Sequence, residues 1–129
     1  MSASKTTGLA VILLLSDDTD RLAGFYRDVL GLDLLAEEHG GRQRHYGCRL
    51  GSLYLTIQST GDFPGTRHAT DHDPIQLCFT TQSMDDFLRH LDEVNVKPQH
   101  SPRPFEQTVF VTLRDPDGRA VRVMTPWGK

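Results

Sequence analysis

The sequence has little of what marks the specialised protein classes. Its two cysteines, Cys48 and Cys78, stand alone with no Cys-x-x-Cys spacing. That excludes a disulfide framework and a cysteine-built zinc site. No run of Lys or Arg occurs, and 14 basic residues against 17 acidic ones leave a formal net charge of −3. Such a balance leaves no footprint for nucleic acid. The apolar run Leu9 to Leu15 is too short to span a bilayer. It passes straight into the acidic SDDTD, unlike a secretory leader. With isolated cysteines, the expected setting is the reducing cytoplasm, away from membranes.

What is present reads as an ordinary globular chain. Its 129 residues fit one domain, and a hydrophobic content of 37% with 24% charged residues suits a packed core. Residues 9–16 predict a strand. A helix follows, capped by Asp17 or Asp18, with Leu22, Phe25, Tyr26 and Val29 at i, i+3, i+4, i+7. Gly31 stops it. Strand candidates come next at 32–36, 43–50 and 53–58, the last two joined by Gly51-Ser52.

The second half repeats this order. A strand at 74–81 leads to a helix capped by Ser83, with Met84, Phe87, Leu88 and Leu91 on its apolar face and Asn95 at its end. Strand candidates follow at 96–99, 108–114 and 120–125, the last two joined by the turn Asp115 to Gly118. The unit is strand, helix, three strands, occurring twice at an offset of roughly sixty residues. The modules run over about 8–58 and 74–127, and the polar linker 59–73 carries His68 and His72. The expected fold class is α+β, with one helix per module on the outer face of a mixed sheet.

Alternation separates two sheet faces. Ile12, Leu14, Leu77, Phe79, Val121 and Val123 should face the helices. The other face takes Val11, Leu13 and Leu15, then Gln76, Cys78 and Thr80, then Ala120, Arg122 and Met124. That face is mixed and partly polar, as a concave ligand surface would be. Arg122 is the odd member, a permanent cation in an otherwise apolar strand. It calls for either a structural partner such as Glu106 or an anionic or carbonyl group on a ligand. In RQRHYGCRL, one of His45 and Tyr46 should point to this same face. Trp127 is expected to close the site or an interface.

Three stretches carry a family likeness: SDDTDRLAGFYRDVLGLDL (16–34), IQLCFTTQSMDDFLRHL (75–91) and VTLRDPDGRAVRVMTP (111–126). Through them the chain resembles the vicinal oxygen chelate superfamily of glyoxalase I, extradiol dioxygenases, and fosfomycin- and bleomycin-resistance proteins. The resemblance implies paired βαβββ modules curled around a cup. It also implies a homodimer, often with cups built from both chains. Its metalloenzymes hold a divalent ion through a His or Glu in the first strand, a His in the fifth and a Glu in the last. Those positions fall here on Val11, Gln76 and Arg122. Val cannot ligate, and Arg carries no acceptor and stays charged. A guanidinium there would repel the ion the carboxylate normally holds.

The expectation is therefore a binding protein with no metal and no cofactor. Its ligand is a small organic molecule with an anionic or carbonyl group. Arg122 and Gln76 would meet that group. His45, Tyr46, Val11, Leu13, Cys78, Met124 and Trp127 would supply the walls. The alternative is a lyase, isomerase or dioxygenase of the same superfamily, either metal-dependent through displaced ligands such as His45 and Gln76, or metal-free with Arg122 stabilising an oxyanion.

Overall fold

The computed structural model describes residues 8–38, 44–63 and 76–126. Trp127, His68 and His72 lie outside them.

The first module opens with β1 (Val11–Ser16). Helix α1 (Thr19–Gly24) is capped by Asp18, whose side chain accepts from the Arg21 N–H, one of the donors a helix start leaves unmatched. The helix then widens into a π-helical segment, Phe25–Val29. It ends at Gly31, whose φ of 79° favours glycine. Leu32 N–H reaches back to the Tyr26 carbonyl across that turn. Strands β2 (Leu35–Glu37), β3 (His45–Leu50) and β4 (Leu53–Ser59) complete the module.

The second module repeats it with β5 (Leu77–Thr80), α2 (Met84–Glu93), β6 (Arg103–Phe105), β7 (Thr108–Arg114) and β8 (Ala120–Met124). Ser83 caps α2 by accepting from the Asp86 N–H. The sheets run β1-β4-β3-β2 and β5-β8-β7-β6. In each, the first strand lies parallel to the last, and the other pairs are antiparallel.

One strand is displaced from its expected place. Residues 96–99 form no strand; β6 lies at 103–105. Pro98 has no N–H to give a ladder, and Val96 N–H is spent on the Leu91 carbonyl at the helix end. Gln99 makes a single bond to Thr112 of β7.

The helix-side faces meet in the core. Leu14, Leu22, Tyr26, Leu55 and Ile57 of the first module pack in one cluster with Val121 of the second. Burying such side chains contributes roughly 1.5–3 kcal/mol each. A polar latch adds to this junction. Arg119 Nη2 donates to the Leu15 carbonyl at 2.7 Å, and Arg21 Nη2 donates to the Pro116 carbonyl at 3.2 Å.

Candidate functional site

Residues paired across a ladder share a face, so the strand register sorts the site. On β8, Arg122 pairs with Cys78 of β5 and Thr112 of β7. Met124 pairs with Thr80 and Phe110. All six sit opposite the helices, as alternation predicted for Arg122, Met124 and Cys78. The Arg122 guanidinium lies 4.7 Å from the centroid of the Phe110 ring, a cation–π contact. Its Nε is buried and has no hydrogen-bond partner. Among the described residues no carboxylate pairs with it. Glu106 is exposed, in a turn with φ of 54°.

Behind Phe110 stands His100, edge-on at 5.3 Å. Its Nδ1 is 2.7 Å from the Ser101 carbonyl, which only accepts. Nδ1 therefore carries hydrogen, and in the neutral ring Nε2 accepts from the Thr112 hydroxyl at 2.8 Å. Sequence reasoning had not brought His100, Phe110 and Thr112 to this spot. The available signal was the shared parity of Phe110 and Thr112 along β7.

The first sheet offers a different face. Val11, Leu13 and Leu15 of β1 pair with Tyr54, Thr56 and Gln58 of β4. Val11 is 49% and Leu13 39% exposed. Of the two candidates on β3, His45 points to this face and is buried. Its Nε2 lies 3.3 Å from Glu37 Oε1. Tyr46 turns the other way into the core, with its hydroxyl on Asp20. Tyr54 donates to Glu37 Oε2 at 3.0 Å. Burial first, and then that hydrogen bond, raises the Tyr54 phenol above its ordinary pKa. The ring reaches Glu37 because β3 carries glycine at 47. A Cβ there would lie 1.9 Å from the Tyr54 hydroxyl.

Gln76 and Cys78 also border a cavity of about 520 Å³ where the modules meet. Arg122, Met124, His45, Val11 and Leu13 do not line it.

The divalent ion implied by the family likeness does not fit these residues. Arg122 presents only donors, and among the described residues its guanidinium has no counter-charge to spare a cation its repulsion. Among the described residues no three His, Cys, Asp or Glu side chains converge as a metal site. Nor is any of their helices long and apolar enough to cross a membrane.

The family model for the Glyoxalase/Bleomycin resistance protein/Dioxygenase superfamily matches residues 8–123. Among solved structures, the chain is similar to TnmS3, an antibiotic-binding protein from Streptomyces sp. CB03234, at 20% identity and a TM-score of 0.74, covering 97% of this chain and 100% of that one. It is also similar to the integron cassette protein VCH_CASS1 from the V. cholerae mobile metagenome, at 22% identity, a TM-score of 0.72 and coverages of 98% and 100%. Lactoylglutathione lyase from Agrobacterium tumefaciens follows at 22%, 0.68, and 96% and 98%. At these identities the likeness is one of fold. No curated protein matches the sequence.

Proposed function

The chain belongs to the Glyoxalase/Bleomycin resistance protein/Dioxygenase superfamily, and from that premise we propose that it binds a small organic molecule carrying an anionic or carbonyl group. The observation that carries this reading is the Arg122 guanidinium. It is stacked on Phe110, flanked by Cys78 and Thr112, and has no protein counter-charge among the described residues. A half-buried cation is costly unless something pairs with it, and a carboxylate on a ligand pairs with a guanidinium in two parallel hydrogen bonds. The antibiotic-binding role of the similar TnmS3 supports sequestration as the purpose. The exposed Val11, Leu13 and Leu35 support a homodimer in which a second copy closes over the open face.

The test starts from a panel of aromatic carboxylates screened for a raised melting temperature. For the best of them, Arg122→Met is expected to weaken binding about 10- to 100-fold, since a charge-assisted hydrogen bond is worth roughly 1.5–3 kcal/mol. The same substitution should leave the free protein as stable as before, or up to about 1 kcal/mol more stable, because it removes an unmatched donor. Unchanged affinity, or marked destabilisation, would overturn the assignment. Protein purified without a tag or chelator should be folded with no stoichiometric transition metal; a near-stoichiometric metal would likewise overturn it.

A further inference from the structure

We infer that the junction of the two modules holds a second binding site, for an uncharged apolar molecule, separate from the Arg122 face. The cavity there measures about 520 Å³, within the range of small-molecule pockets, roughly 300–1,000 Å³. Both modules build it. Ile12, Leu50 and Leu53 come from the first sheet, Leu77 and Phe79 from the second, and Phe87 from α2. Each of these six is only partly buried, so apolar surface stays open. The cavity opens to solvent, and a guest that covers its wet apolar side chains gains roughly 25 cal/mol for each Å² of apolar surface removed from water.

The lining sets the ligand class. Among the described residues it includes no Asp, Glu, Lys, Arg or His. A charged ligand would lose its hydration and find no counter-charge. The polar side chains stand at the two ends of β5, Gln76 just before it and Thr80 and Thr81 at its close. A molecule with an apolar body and a hydrogen-bonding group at either end matches that layout. The β5 strand is an edge of its sheet, and the cavity wraps this edge, so consecutive residues from Gln76 to Thr81 line it. On β8, Val123 lines the cavity while Arg122 and Met124 serve the opposite face. The two sites therefore share strands yet select opposite ligand chemistry.

The test uses the uncharged fluorophore N-phenyl-1-naphthylamine on the full chain, with 8-anilinonaphthalene-1-sulfonate as its anionic counterpart. The uncharged probe is expected to bind saturably, one per chain, and the sulfonate at least about tenfold more weakly at the same site. Leu53→Trp fills the cavity and should weaken the uncharged probe about tenfold or more. Ile12→Phe repeats the test should Leu53→Trp fail to fold, folding being checked by circular dichroism. Arg122→Met should leave uncharged-probe binding unchanged. Absent saturable binding, binding indifferent to a folded filling variant, equal affinity for the sulfonate in Arg122→Met protein, or equal loss of the uncharged probe with Arg122→Met would each overturn the inference.

Discussion

The hydroxyl of Tyr26 donates a 2.9 Å hydrogen bond to Oδ2 of Asp115, eighty-nine residues away. It ties the π-helical segment of one module to the last hairpin of the other. Asp115 is fully engaged. Its Oδ1 accepts from the backbone N–H groups of Asp117 and Arg119, and its Oδ2 also takes Arg119 Nη1 at 3.0 Å. Removing this carboxylate leaves the mostly buried Arg119 only the longer 3.6 Å contact to Asp117 as a counter-charge.

Asp115→Ala should therefore cost about 3–5 kcal/mol, the range for breaking a buried pair. Tyr26→Phe, which removes one of four donors to the carboxylate, should cost only about 1–3 kcal/mol. Urea unfolding of both variants checks the order. Equal losses would mean that the hairpin, not the carboxylate, holds the modules.

Gly47→Ala should strike Tyr54 rather than the backbone, since the nearest atoms to a new Cβ all belong to that ring. A cost of about 1–3 kcal/mol is expected from the overpacking. Tyr54→Leu should absorb much of it in a double-mutant cycle. Additive losses would show that the clash is relieved elsewhere.

All three tyrosines are held above the ordinary phenol pKa of 10.0. Burial is the first cause in each, followed for Tyr26 by the charge of Asp115. The fold thus favours the neutral phenol. The stability this contributes is complete below the unfolded value near 10 and is lost as pH climbs above it. Absorbance at 295 nm should show less phenolate in folded protein than in the unfolded chain at a pH where free tyrosine is half ionised. Ionisation of Tyr26, the most deeply buried and charge-flanked of the three, should coincide with alkaline unfolding. Titration near 10 with native circular dichroism retained would contradict this.

The two thiols should differ. Cys78 is exposed and Cys48 buried, and burial, then Asp33, pushes the Cys48 thiol up. A disulfide reagent is expected to label Cys78 rapidly and Cys48 only on unfolding. A ligand held at Arg122, the cross-strand neighbour of Cys78, should slow the labelling of Cys78. Labelling unaffected by a saturating ligand would place that ligand elsewhere.

Much of this was legible because it depends on period and turn chemistry. The alternation in β1, β5 and β8 placed Arg122, Met124, Val11 and Leu13 on the face where they are found. Asp18, Ser83 and Gly31 marked helix ends where the backbone needs them. The helix periodicity of Leu22, Phe25, Tyr26 and Val29 did not reveal the switch to π geometry after Gly24, since both helix forms place these residues on one face. Nor did the sequence bring His100 to Thr112, because residues 99–102 run outside any regular element. The junction cavity was invisible for a related reason. It arises between two modules, and no local pattern records how closely they approach.

The turn at Asp115 to Gly118 fixes the register of β8 against β7. Because neighbouring strand residues point to opposite sides, losing one residue from that turn would do more than shorten a loop. It would draw a guanidinium into the oily middle of the protein and put a valine out among the polar groups. One deletion in that turn would thus abolish both the proposed anion site and the packing behind it.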